Sequence, residues 1–145
     1  MFVLNAPQLG WAQAEELAQA LSVLKKSGRE VLLYCPHLTP ESYVVASEAH
    51  EVWVSPTSEV MISGLLQERF YLKGLLDRLQ IKAEFIAVGD YKSAPEMFTR
   101  EGPSEQASEA NNTLLQARYD LLTSALMRRA SAEGAQGAQA ERARA

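Results

Sequence analysis

Glu30-Val31-Leu32-Leu33-Tyr34-Cys35, Pro40-Glu41-Ser42 and Val52-Trp53-Val54 follow one another with short connections, and their order decides the fold. The first run is rich in apolar residues and too short for a helix, so it reads as a buried strand. Proline is tolerated in a helix's first turn, so Pro40 opens a helix to about Glu48. Val52-Trp53-Val54 is the next strand, closed by Ser55-Pro56. Toward the N-terminus, Ala14, Leu17, Leu21 and Leu24 recur on one helical face, predicting a helix over 12–27 that ends at Ser27-Gly28. Phe2-Val3-Leu4 reads as the end of a buried strand with no preceding segment to pair it, so the domain is expected to be incomplete at its N-terminus.

Toward the C-terminus, Val60-Met61-Ile62 is a candidate fourth strand, ended by Gly64. Leu65, Leu72, Leu75, Leu76 and Leu79 share a helical face. Ile81 to Val88 alternates in part and reads as a strand feeding a loop at Gly89. The longest helix is expected from Ser104, its N-cap, to about residue 129, with a stripe of Leu115, Tyr119, Leu122 and Leu126. Residues 131–145 are mostly Ala, Gly, Gln, Glu and Arg and are expected to form a disordered tail behind a domain of residues 1–130. Alternation of strands and helices implies an α/β layer architecture with mostly parallel pairing and flanking helices. Chemistry in such sheets gathers at the carboxyl ends of strands. Lys92 lies four residues past Val88, at such an end.

Composition narrows the function. A chain of 145 residues, 47 % apolar and 22 % charged, suits one soluble globular domain. A net charge of −4 argues against nucleic acid as a partner, because phosphate binding calls for a basic face. No run of 18 or more apolar residues offers a membrane span, and the first residues lack the pattern of a secretory signal. The lone Cys35 excludes an internal disulfide and reads as a small packing residue rather than a reactive thiol. His37 and His50 have no Cys or acid at metal-ligand spacing, and neither a G-x-S-x-G elbow nor a glycine-rich phosphate loop occurs. No metal and no cofactor are therefore expected.

The segment carrying chemistry is Gly89-Asp90-Tyr91-Lys92-Ser93-Ala94-Pro95-Glu96-Met97-Phe98. It resembles the lysine signature of the signal peptide peptidase A (protease IV) family, roughly G-x-Y-K-S-A-x-E-P-F, with the proline moved to Pro95. Tyr43-Val44-Val45-Ala46-Ser47-Glu48-Ala49-His50-Glu51-Val52 is similar to the family's Y-Y-x-A-S-x-A-D-x-I stretch. Phe70 to Leu79 looks like the helix before the lysine strand, and Gly102-Pro103-Ser104-Glu105-Gln106 like the turn after it. The resemblance implies a ClpP/crotonase-like fold and a Ser–Lys dyad peptidase in which Lys92 is the general base. An ordinary lysine, with a pKa near 10.4, is under about 0.1 % neutral at pH 7. A lysine base therefore needs an apolar, covered site that disfavours its charge. The apolar strand before Lys92, and Ala94, Met97 and Phe98 after it, are candidates for one wall of it.

Two parts of the family's machinery are replaced. Aligned on Tyr43, the S-G-G-Y-Y segment that carries the nucleophile has Pro40 in the serine's place, with Glu41 and Ser42 for the glycines. Proline has no hydroxyl and cannot attack a carbonyl, and Ser42 reads as a helix-start residue. Leu4-Asn5-Ala6-Pro7-Gln8-Leu9 aligns with N-S-P-G-G, whose glycine backbone helps form the oxyanion hole; Gln8 and Leu9 replace both glycines. A lysine without a serine resembles the N-terminal half of the family's long two-domain form. Either the chain is a fragment, or another polypeptide supplies the serine, or the chain is a pseudoenzyme. The leading expectation is the lysine-contributing half of a serine-type endopeptidase acting on hydrophobic peptides such as cleaved signal peptides. Its partners would be the peptide, the missing serine-bearing half or subunit, and further copies in a homo-oligomer. By the same resemblance it would be membrane-associated on the extracytoplasmic face, through segments outside this chain. The alternative is a non-catalytic scaffold that keeps the fold for assembly; an acyl-CoA-handling crotonase relative shares the fold but leaves the lysine block unexplained.

Overall fold

Three parallel strands organise the N-terminal part of the chain: β1 (Phe2–Val3), β2 (Leu32–Cys35) and β3 (Glu51–Val54), in the order β1-β2-β3. They are connected by α1 (Trp11–Lys26) and α2 (Pro40–Ala46). The computed structural model describes residues 2–3, 9–86, 88–89 and 91–142. Phe2 pairs with Leu33, and Leu32 to Cys35 pair in order with Glu51 to Val54. Helical crossovers are what parallel neighbours require, so the strand–helix–strand reading of residues 30–54 holds. The architecture is α/β with a small parallel sheet.

The core follows from the strand and helix periods. Leu33 and Cys35 are buried on one face of β2 while Leu32 and Tyr34 are half-buried. From α1 come Ala14, Ala18 and Leu21, and from α2 Val44, Val45 and Ala46. Leu17 is exposed instead, and Ala18 takes the inward position. α1 closes as expected: Gly28, with φ +80°, lets its N–H reach Lys25 O at 3.0 Å and the Arg29 N–H reach Leu24 O at 3.3 Å.

Three expectations between residues 60 and 88 need correcting. Val60-Met61-Ile62 is not a strand but a single parallel bridge, Leu38 to Val60, with Met61 N–H on Leu38 O at 2.9 Å. The helix of residues 65–79 is reduced to α3 (Lys73–Arg78). Glu68 and Arg69 interrupt the apolar stripe between Leu65 and Leu72, and a turn without an apolar contact gains little from packing. The expected strand over 81–88 does not form among its described residues, where Ile86 is 99 % and Val88 87 % exposed. An apolar run suits a strand, but only a neighbouring backbone makes it one.

α4 (Glu96–Thr99) and α5 (Glu105–Arg142) complete the chain. Ser104 is the N-cap of α5, its Oγ accepting the Ala107 N–H at 3.1 Å. The helix does not stop near residue 129 but continues to Arg142. Ala, Gln, Glu and Arg are strong helix formers, so local propensity extends a helix that has no apolar stripe there. The chain divides into two compact units, Met1–Gly64 with Arg118–Ala145, and Leu65–Ala117. In the first, Ala125 of α5 is fully buried, and Arg129 donates to Ala49 O at 3.2 Å. Among the described residues no helix is long and apolar enough to cross a membrane.

Candidate functional site

Lys92 sits in a turn built by its neighbours. Gly89 has φ +99°, a backbone that side-chain-bearing residues rarely adopt, and its carbonyl accepts the Lys92 N–H at 3.2 Å. The Ser93 N–H reaches Tyr91 O at 3.0 Å, and the Glu96 N–H reaches Ser93 O at 3.1 Å, which leads into α4. Lys92 is exposed. Of the expected wall, the segment before Lys92 forms no strand among its described residues and leaves Ile86 and Val88 exposed. After Lys92, Ala94 and Met97 are exposed, and Phe98 is half-buried and stacked on Phe85 with ring centroids 5.6 Å apart. The apolar groups of the lysine block thus leave Lys92 uncovered.

Beside the block lies a cleft of about 430 Å³, lined by Phe70, Tyr71, Ser93, Ala94 and Met97 with the charged Glu68, Arg69 and Glu96. Its charges have opposite signs and its greasy side is open, with Phe70 77 % exposed. Arg69 is held from beneath by Asn111 of α5, whose Oδ1 accepts its guanidinium N–H at 2.7 Å.

Glu96 and Ser104, which belong to separate motifs in the sequence, are joined in the structure. The Ser104 N–H donates to one Glu96 carboxylate oxygen at 3.0 Å and the Ser104 Oγ to the other at 2.5 Å. These bonds, helped by Arg100 and Arg69, hold the Glu96 carboxyl below its usual range. A second connection runs from the Tyr91 hydroxyl to Glu109 of α5 at 3.1 Å. The signal available in the sequence is an acid at position 96 ahead of a serine N-cap, but the seven residues between them, the end of α4 included, hide which donors meet it.

The residues standing where a nucleophile is expected are structural. Pro40 is the first residue of α2, where its missing N–H costs nothing. Ser42 is buried and bonded on both sides: its Oγ accepts the Thr39 N–H at 2.7 Å and donates to Thr39 O at 3.1 Å. Leu9 packs against the core, while Leu4 to Gln8 lie outside the described residues. His50 is used locally: its Nδ1 accepts the Val31 N–H at 3.0 Å. Cys35 is fully buried, and burial pushes its thiol up to about 11, which removes it as a nucleophile near neutrality.

The model of Peptidase family S49 matches residues 23–140. The chain is 34 % identical over 96 residues to Protease 4 of Salmonella typhi, covering 66 % of this chain and 16 % of that protein. It is 38 % identical over 88 residues to Protease 4 of Haemophilus influenzae, covering 61 % and 14 %. Over 110 residues it is 26 % identical to the chloroplastic serine protease SPPA of Arabidopsis thaliana, covering 76 % and 16 %. The chain thus spans about a sixth or less of the length of the curated relatives it matches. With the lysine block and its flanks inside the matched region, the chain belongs to peptidase family S49, the signal peptide peptidase A / protease IV family.

Proposed function

We propose that this chain is the lysine-contributing half of a serine-type endopeptidase, with Lys92 as general base and the nucleophilic serine on a second half or subunit. The fold of the assembled domain is then ClpP/crotonase-like. The observation that carries the reading is the position of Lys92 in a chain of this family. It stands in a glycine-supported turn, exposed, among exposed apolar side chains that a partner would cover. Covering it would supply the desolvation a lysine base requires. Pro40 in the nucleophile's place supports a serine supplied from elsewhere.

The substrates are hydrophobic peptides, cleaved signal peptides among them, in keeping with the apolar side of the cleft. The working enzyme is a homo-oligomer associated with the extracytoplasmic face of a membrane through segments outside these residues. The test is reconstitution with the serine-bearing half of a two-domain relative, read with a serine-directed acylating probe. The serine half should be labelled only when this chain is present, and not when it carries Lys92→Ala. Labelling of equal extent without this chain would overturn the proposal and leave the scaffold reading.

A further inference from the structure

We infer that Glu96 and Tyr91 are positioning residues that clasp the Lys92 turn to the start of α5; this rests on Lys92 being the proton acceptor. The turn is fastened to one helix on both sides of Lys92. One residue before it, the Tyr91 hydroxyl reaches Glu109 at 3.1 Å. Four residues after it, the Glu96 carboxylate takes both donors of Ser104, the cap of α5, at 3.0 and 2.5 Å.

Within the turn itself the bonds are local ones, Lys92 N–H to Gly89 O, Ser93 N–H to Tyr91 O and Glu96 N–H to Ser93 O. Short turns of that kind open readily, whereas proton transfer needs the base within hydrogen-bond reach of the hydroxyl it deprotonates. A carboxylate accepting two hydrogen bonds makes a stronger and more directional tether than neutral pairs do. Ser104 is 9 % exposed, so its N–H and hydroxyl would lose their partner in a site with little water to replace it. The first turns of α5, capped by the same serine, are what the Lys92 turn is tied to. The clasp gives Glu96 a purpose beyond starting α4.

The test compares Glu96→Gln, Tyr91→Phe and Ser104→Ala with Ser104→Thr, which keeps both donors. In this chain, amide hydrogen exchange at Lys92 and Ser93 should quicken about tenfold or more in Glu96→Gln and Ser104→Ala, the order expected for a lost charge-assisted hydrogen bond. Exchange at Leu33 and Cys35 reports that the sheet is still folded. In the reconstituted enzyme the same two variants should lower the acylation rate constant about tenfold with KM nearly unchanged, because geometry at the base is lost and substrate contacts are kept. Tyr91→Phe should act in the same direction and less strongly, and Ser104→Thr should restore both readouts. Unchanged exchange at Lys92 and Ser93 in Glu96→Gln would overturn the clasp whatever Lys92 does. Faster exchange with unaltered acylation, in an enzyme that Lys92→Ala silences, would overturn positioning alone. Full acylation by Lys92→Ala would instead remove the base assignment, and positioning for catalysis with it.

Discussion

Thr39 and Ser42 cap one another across the first turn of α2. The Ser42 Oγ accepts the Thr39 N–H at 2.7 Å, and the Thr39 Oγ1 accepts the Ser42 N–H at 3.3 Å. The pair satisfies two backbone donors that a helix start leaves without partners, as a capping box does. The serine nearest the position where the family resemblance leads one to expect a nucleophile thereby holds the helix start, two residues past a proline that fits the helix's first position.

The chain alone is therefore expected to show no peptidase turnover and no adduct at Ser42 with serine-directed reagents. Mass spectrometry after prolonged exposure checks the adduct. Thr39→Ala should instead lower stability by ~1 kcal/mol, the usual worth of a lost N-cap, read as a shifted denaturation midpoint. Labelling at Ser42 in the folded chain would contradict the structural role.

Cys35 should behave as a packing residue. With its thiol moved from an ordinary 9.0 to about 11 by burial, it holds about a hundredfold less thiolate than a free cysteine at pH 8. Thiol reagents should label it only at the rate of unfolding, and quickly in denaturant. The sign of the pH effect follows: the native state retains the proton longer than the unfolded chain does. This contribution to stability is full below pH 9.0 and declines as pH rises toward about 11. A midpoint that rose across that interval in the wild type and not in Cys35→Ala would contradict it.

α1 and α3 end in the same hydrogen-bonded motif with different residues at its left-handed position. α1 uses Gly28, at φ +80°, whereas α3 uses Gln80, at φ +56°. Gln80 N–H reaches Asp77 O at 3.1 Å and Ile81 N–H reaches Leu76 O at 2.9 Å, so the glycine motif is complete without glycine. Gln80→Gly should stabilise the chain by roughly 0.5–1 kcal/mol, the relief of left-handed strain less the added freedom of the unfolded chain. Thermal denaturation of the single variant measures it. A loss of stability would show that the Gln80 side chain contributes more than its backbone costs.

What could be read from the residues was local. Val31 to Cys35, Pro40 and Ser104 each carry a signal that nearby chemistry completes: an apolar run bounded by turns, a proline at a helix start, a serine before a helix. The strand β2, the start of α2 and the cap of α5 follow from such signals. Ile81 to Val88 shows the limit, because its apolar pattern says that it suits a sheet and not which backbone it would pair with. The length of α5 was missed for the opposite reason: propensity without an apolar stripe extended it past residue 129. At the site, Lys92 was legible as a motif residue, while the Glu96–Ser104 and Tyr91–Glu109 connections join distant positions and needed coordinates.

The central claim is that Lys92 is a proton acceptor, and single-turnover acylation by the reconstituted enzyme tests it most directly. Lys92→Ala removes the base. Lys92→Arg keeps the charge and much of the length, but a guanidinium does not give up its proton near neutrality. General-base assistance is typically worth ~10²–10⁴-fold, so both variants should lose acylation by at least about a hundredfold while far-UV dichroism stays unchanged. Retention of more than about a tenth of the wild-type acylation rate by Lys92→Arg, outside the range of lost general-base assistance, would contradict the account.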